Sequence, residues 1–278
     1  MKNRAIGMAR SIYNRLRQAT GGKRFTVFGR RLCVDVRTDL PRSWNYPLPK
    51  FGARCDMLPY TDHVQLRSIV SYLDGIDRPV VVEVGAYTGA YACILGSLVR
   101  EKGGRLLAIE PNPQNCAVMR ESVAKAELGD VVTVEEVAVG NTEGMATISF
   151  NDSASTIADP GRQGVPVHLT TLRALLSKYH IGKIDVLMID VEGAELPVLQ
   201  GFPWGQVTAD RIFCELHPPK WRDFGHTAAD IDAFFAERGY LPVDMFLQPW
   251  PQLPDSAKEH LGPTLLVPIP PKNGCTGG

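Results

Sequence analysis

From position 80 onward, apolar residues fall into two alternating rhythms. Short β-branched or aliphatic runs are followed by longer stretches whose apolar positions lie three and four apart. Val80 to Val84 is apolar except for Glu83 and reads as a strand buried on both faces. It runs into Gly85-Ala-Tyr-Thr-Gly89, then into an apolar helical run from Ala90 to Val99 that stops near Lys102-Gly103-Gly104. Leu106 to Glu110 is the second strand. Asn112 caps and Pro113 opens a helix that runs to about Glu127 and is closed by Gly129. Val131 to Val139 reads as the third strand, ending at the turn pair Gly140-Asn141, and Met145 to Leu169 as extra strand and loop. A helix from Thr171 to Tyr179, a strand from Ile184 to Asp190 and a helix from Ala194 to Gln200 follow. Next come a strand from Arg211 to His217 and a helix from Ala228 to Arg238, stopped by Gly239. Tyr240–Leu247 and Thr264–Ile269 read as closing strands. Repeated strand–helix alternation with short connections predicts one α/β domain built on a doubly wound, mostly parallel sheet.

The first 75 residues follow another pattern. Ile6, Ala9, Tyr13 and Leu16 recur at helical spacing in a stretch that holds nine Lys and Arg residues and no acid before Asp35. A short basic helix is predicted there, and a solvated terminal helix is the preferred reading of it. Weak contact with an anionic membrane surface is the alternative. Arg24 to Val36 reads as a hairpin around Gly29-Arg-Arg. Residues 37–60, rich in Pro and aromatics, read as an ordered connector or lid, and Val64 to Leu73 as a helix. The chain thus divides into an N-terminal extension (1–75), the α/β domain (76–269) and a disordered tail (270–278).

Apolar content of 44% and charged content of 22% are those of an ordinary soluble domain, and 278 residues can bury one large core. The formal charge of zero argues against a general nucleic-acid binder. The six cysteines form no C-x-x-C pair, so buried reduced thiols and a cytoplasmic setting are expected, with peripheral membrane contact through the basic N-terminus as the further possibility.

Candidate chemistry collects at predicted strand ends, where open α/β sheets place ligands. Gly85 would allow a backbone conformation closed to other residues, and Gly89 would let a ligand or strand lie close to the helix. Glu83 is an acid where a cationic or hydroxyl-bearing ligand would sit. Gly-x-x-x-Gly is not the full dinucleotide fingerprint, because Tyr87 stands where a smaller residue belongs. Glu110, at the tip of the second strand, suits the two hydroxyls of a ribose. Glu136 and Ala138, near the end of the third, stand where an adenine ring would be met. Asp190, Glu192 and Glu195 crowd one strand-to-helix turn. The last two are partly explained as acids facing a helix N-terminus, but Asp190 is not. Period-two alternation puts Glu215 and His217 on one face at the same sheet edge, and histidine is the side chain best suited to take a proton near neutral pH.

Val82-Glu-Val-Gly-Ala-x-x-Gly-x-Tyr91, Ala-Ile-Glu110-Pro-Asn-Pro113, Ala138-Val-Gly140, Leu187-x-Ile-Asp-Val-Glu-Gly-Ala-Glu195 and Glu215-Leu-His217 occur in the order found in FkbM-type methyltransferases. The resemblance spans positions 80 to 240. It implies a Rossmann-like, seven-stranded class I methyltransferase sheet, S-adenosyl-L-methionine as cofactor, and a hydroxyl of a sugar, glycan, lipid or secondary metabolite as acceptor. Carried onto this sequence, the donor would be held by Glu83, Gly85, Ala86, Tyr87, Gly89, Glu110, Asn112, Glu136, Ala138 and Asp190. His217 would act as base, assisted by Glu215, with Asp190 orienting the acceptor or the donor's ammonium. Two departures stand out: Glu83 where such proteins usually have Asp, and Met188 where they often have Lys. On an extended strand residues 188 and 190 face the same way, so the missing cation would have been a partner for Asp190.

No metal is assigned; a divalent cation held by Asp190, Glu192, Glu215 and His217 is the lesser alternative. An NAD-dependent oxidoreductase is disfavoured by the incomplete glycine fingerprint. An amino-methylating enzyme for nucleic acid is disfavoured because His217-Pro-Pro-Lys-Trp221 follows the fifth strand rather than the fourth. A non-catalytic, membrane-peripheral scaffold is the remaining rival.

Overall fold

The computed structural model describes residues 22–27, 30–35, 37–38, 61–151, 154–157, 164–244, 249 and 262–269. The predicted basic helix, nearly all of the Pro-rich connector, the end of the strand expected at Tyr240–Leu247 and the C-terminal tail lie outside these residues. The hairpin is present as β1 (Lys23–Val27) and β2 (Arg30–Val34), followed by α1 (Thr61–Asp74). Then come β3 (Val80–Val84), α2 (Ala90–Glu101), β4 (Arg105–Ile109), α3 (Pro113–Lys125) and β5 (Val132–Glu135). Four short strands, β6 (Ala138–Gly140), β7 (Gly144–Asn151), β8 (Ala154–Ile157) and β9 (Val165–Thr171), form a separate group. The chain continues with α4 (Leu172–Lys178), β10 (Lys183–Ile189), α5 (Glu195–Gln200) and β11 (Thr208–Leu216). It closes with a 3-10 turn (Pro218–Phe224), α6 (Ala228–Arg238), β12 (Tyr240–Val243) and β13 (Gly262–Pro268).

The central sheet has seven strands in the order β12-β13-β11-β10-β3-β4-β5. β11, β10, β3, β4 and β5 are parallel neighbours, and β13 enters antiparallel between β11 and β12. This is the doubly wound, mostly parallel sheet that the alternation predicts. β3 alternates between two cores: Val81 packs with Leu66, Ile69, Leu95 and Leu98 on one face, while Val82 and Val84 pack with Leu175, Leu199, Ile231 and Phe235 on the other. Each of these side chains contributes about 1.5–3 kcal/mol through burial, so both faces must be covered for the sheet to hold. No helix among the described residues is long and apolar enough to cross a membrane.

The apolar run from Val131 to Val139 is not one strand. β5 pairs with β4 only as far as Ile109 opposite Glu135, and the Glu110 amide donates to the Glu135 carbonyl as the last rung. Beyond it the first chain turns away at Pro111, β5 has lost its partner, and Ala138–Gly140 pairs with Leu169–Thr171 instead. The resulting four-stranded sheet, β6-β9-β7-β8, has a small core of Ala138, Ile148 and Val167. A change of partner leaves no trace in hydrophobic periodicity.

Helix ends differ in one telling place. Asn112 accepts from the Gln114 amide as the cap of α3. At the other end Glu127, not Gly129, takes the left-handed conformation (φ 57°), while the Leu128 amide donates back to the Val123 carbonyl at 2.9 Å. The hairpin is tied to α3 through fully buried Asp35, whose amide donates to Ser122 Oγ and whose carboxylate accepts from Arg37 and Lys125.

Candidate active site

β3 lies at the middle of the parallel strands. The chain moves from it to β4 and β5 on one side and later to β10 and β11 on the other. Strand tips on either side of such a switch point diverge, and a crevice opens at their carboxyl ends. Here it is a cavity of about 200 Å³ lined by Val84, Gly85, Tyr87, Ile109, Glu110, Pro111, Val137, Ala138, Val139, Ile148, Asp190, Val191, Glu192, Ala194 and Phe224.

Gly85 has φ +89°, and a Cβ there would lie 1.7 Å from the Asp190 carbonyl oxygen. The tips of β3 and β10 are thus pressed together, with the Asp190 amide donating to the Val84 carbonyl at 2.9 Å. Gly85 and Ala86 both donate to the Ile109 carbonyl, and Tyr87, itself left-handed at φ 49°, donates its amide to Glu110 Oε2 at 2.9 Å. Glu110 Oε1 accepts from the Asn112 amide and from Asn115 Nδ2. Burial raises the Glu110 pKa, and these three donors oppose the rise. They occupy three of the carboxylate's roughly four acceptor sites, so the acid expected to bind a ribose first of all props the glycine turn. Gly89 is the left-handed N-cap of α2, and a Cβ there would meet Met119 Cγ at 2.5 Å. The close neighbour that Gly89 admits is helix α3, not a ligand.

Asp190 lies just past β10, lines the cavity and has a half-exposed side chain. Its pKa is raised, first by desolvation and next by the Glu215 carboxylate. Half-exposure weakens the first cause and leaves the Glu215 charge as the more important. His217 follows β11 and is buried, its Nε2 lying 3.8 Å from Asp190 Oδ1 and 3.6 Å from Glu192 Oε2. Two atoms 3.8 Å apart leave room for one hydroxyl oxygen to reach both at hydrogen-bonding distance. Asp190 and Glu192 line the cavity, and His217 lies behind them and does not line it.

The expected helper, Glu215, is not the residue bonded to the imidazole. His217 Nδ1 lies 2.7 Å from Glu195 Oε1, and Glu195 is fully buried. Glu215 is half-buried and acts on this group through its charge on Asp190. Trp221 and Lys220 complete the surroundings: Trp221 Nε1 donates to Glu195 Oε2 at 2.8 Å, and Lys220 Nζ pairs with Glu192. Glu195 and Lys220 were not among the site residues expected from sequence. Glu195 resembles an ordinary helix-opening acid, and Trp221 lies one turn past His217. Of the other expected contacts, Ala138 lines the cavity, whereas Glu136 pairs with Arg120 and Asn112 serves as a cap. Glu136 and Ala138 would share a face only on a continuous strand, and the chain changes sheets between them.

A comparison with curated proteins gives no match. Among solved structures, the chain is similar to the methyltransferase FkbM from Methylobacillus flagellatus KT (12% identity, 77% of this chain and 55% of that one, TM-score 0.42). It is also similar to an O-methyltransferase from Bacillus cereus (14%, 80% and 83%, 0.43). A third likeness is to precorrin-6y C5,15-methyltransferase from Geobacter metallireducens GS-15 (13%, 72% and 84%, 0.41). The family model described as the methyltransferase FkbM domain matches residues 83–242. The chain belongs to the FkbM methyltransferase family. Its cofactor is S-adenosylmethionine.

The residues of this FkbM domain fit such a donor on two counts: Glu110 Oε2 keeps an acceptor site at the cavity wall for a hydroxyl, and Val137 to Val139 with Ile148 give an apolar wall. Asp190, Glu192 and His217 hold donor atoms within 4.8 Å of one another, the one such group among the described residues. Lys220 already pairs with Glu192.

Glu83 lies under the glycine turn, on the opposite face of β3 from Val84, and does not line the cavity. Its register partner on β10 is Met188, so the missing Lys would have stood beside Glu83 rather than Asp190. Glu83 is buried and its Oε2 has no hydrogen-bond partner. Desolvation, with the Asp190 and Glu110 charges, pushes its pKa to about 8. The folded state therefore holds a proton that the unfolded chain, titrating near 4.5, releases. That stabilisation is complete below pH 4.5 and lost as pH rises through about 8. Glu83→Gln should remove this dependence. Relative to the variant, the wild type should lose on the order of 4 kcal/mol between pH 5 and pH 9, read by denaturant unfolding. Parallel curves for the two proteins would contradict a buried neutral acid.

Proposed function

We propose that this protein is an S-adenosylmethionine-dependent O-methyltransferase acting on a hydroxyl of a small molecule, sugar, glycan or lipid. When bound, S-adenosylmethionine supplies a methyl group already activated by its sulfonium. The protein's work is then to align the acceptor oxygen and remove its proton. The observation that carries the reading is the Asp190–His217 pair, 3.8 Å apart beside the Gly85 turn. Asp190 orients the donor's ammonium, and its charge favours the imidazolium that forms on His217. His217 Nε2 takes the proton as the oxygen becomes nucleophilic. The Gly85–Tyr87 turn and Glu110 hold the donor, and the apolar wall at Val137–Val139 takes its flat ring. Glu192, paired with Lys220, keeps a second acceptor at the rim.

The acid-rich rim and the chain's zero formal charge support an uncharged hydroxyl compound as acceptor, and not a nucleic acid. The test has two arms. Calorimetric titration should show binding of S-adenosylhomocysteine and none of NAD. Incubation with trideuteromethyl donor and mixed glycans, lipids and metabolites, followed by mass spectrometry, should place the label on oxygen. Label on nitrogen, or binding of NAD alone, would refute the assignment.

A further inference from the structure

We infer that Glu195 is the positioning residue of the His217 base, holding the imidazole with its proton on Nδ1 and its Nε2 lone pair toward the cleft between Asp190 and Glu192. The inference rests on the reading of His217 as base, and adds the group that sets its tautomer and direction.

Glu195 has no exposed surface. A carboxylate withdrawn that far is tolerated only where donors replace its water. Three do, from three separate parts of the chain: the Gly193 amide at 2.8 Å and His217 Nδ1 at 2.7 Å on Oε1, and Trp221 Nε1 at 2.8 Å on Oε2. An ionised carboxylate can only accept, so the imidazole nitrogen facing it carries hydrogen. In the neutral ring the lone pair then lies on Nε2, the atom nearest Asp190 and Glu192.

The support around Glu195 is rigid. Trp221 is 1% exposed and packed in the core formed with α4, α5 and α6. Gly193 has φ +112°, and a Cβ there would meet Lys220 Cβ at 2.7 Å and the Phe224 ring at 2.9 Å. The turn before α5 and the 3-10 turn after β11 are thus locked together with the carboxylate between them. Rotating the imidazole by half a turn would set a ring C–H against Glu195 and leave a buried acceptor short of a donor, which disfavours that orientation.

Among the described residues, the charges acting on His217 are Asp190 past β10, Glu192 in the turn and Glu195 opening α5, while Lys220 of the 3-10 turn pairs with Glu192 and Glu215 of β11 acts on Asp190. Burial alone would lower the imidazole's affinity for a proton. The Glu195 hydrogen bond and charge, with Asp190 and Glu192, outweigh it, so the pKa is raised.

The test is long-range 1H–15N NMR of the whole protein labelled in histidine, with the His217 resonances identified by their loss in His217→Gln. The neutral wild-type ring should carry its proton on Nδ1. In Glu195→Gln its titration midpoint should fall by about one unit, a tenfold change in proton affinity. Trp221→Phe, which keeps the carboxylate, should retain the Nδ1–H form and serves if Glu195→Gln does not fold. A wild-type proton on Nε2 would overturn the inference, as would an unchanged midpoint in a folded Glu195→Gln protein. In kinetics, Glu195→Gln should lower kcat and shift the acid limb of its pH profile downward without raising KM for the donor. If His217→Ala leaves turnover intact while the NMR results hold, the base assignment fails and the Glu195–His217 pairing stands.

Discussion

His217→Ala is expected to lower turnover by roughly 100- to 10,000-fold, the usual contribution of a positioned base. Donor affinity should stay within about twofold of the wild type. The separation follows from geometry. Glu110 and the Gly85 turn belong to β3 and β4, whereas His217 follows β11 and lies behind Asp190 and Glu192. Truncating the imidazole leaves the donor contacts in place and removes the proton acceptor. It also leaves Glu195 with two of its three donors, so some stability will be lost. Calorimetry with S-adenosylhomocysteine, alongside steady-state rates on a responsive acceptor, separates these effects. Because the His217 pKa is raised, wild-type turnover should climb with pH through a midpoint above that of a free histidine. That limb should be absent from the variant's residual rate. Equal turnover in the two proteins would remove His217 from the chemistry.

Gly85→Ala should be the most damaging added methyl among the described glycines. At φ +89° a side chain already costs about 1–3 kcal/mol. The Cβ would also fall 1.7 Å from the Asp190 carbonyl oxygen, a backbone atom fixed by its own strand. β3 and β10 would have to part at their tips, breaking the Asp190-to-Val84 hydrogen bond and moving Asp190 relative to His217. We expect a loss of about 3 kcal/mol or more, about 6–12 °C in melting temperature, together with loss of donor binding. Thermal unfolding with and without S-adenosylhomocysteine reads both. A variant that melts like the wild type and is still stabilised by the ligand would show that the two tips are not coupled.

Much of this arrangement is written locally and could be read before any coordinates. Val80 to Val84 announces a buried strand by its β-branched residues. Ala228 to Arg238 is bounded by a Thr227–Asp230 capping box and by Gly239 at φ 70°, and its predicted ends match those observed. Asp190 and His217 were legible as strand-tip residues, because the carboxyl edge of a parallel sheet is where such side chains gather. What was not legible depends on partners distant in the chain. Glu195 and His217 are 22 residues apart and meet only because α5 packs beside the tip of β11. Alternation along β11 favoured Glu215 as the helper, since it reports one strand's faces and says nothing of the neighbouring helix. Gly85 showed its need for special geometry, but not that Asp190 would be the atom pressed against it. Glu136 was grouped with Ala138 by position near the end of one predicted strand, and the chain changes sheets between them.

The donor should lie over the Gly85 turn with its reacting end toward the Asp190–His217 cleft. A crystal structure of the protein with S-adenosylhomocysteine decides this. The ribose is expected against Glu110, the ring against Val137–Val139, and the sulfur open toward Asp190 and His217 Nε2. A ligand bound with its sulfur turned to the Ile148 wall, or seated anywhere other than this crevice, would contradict it.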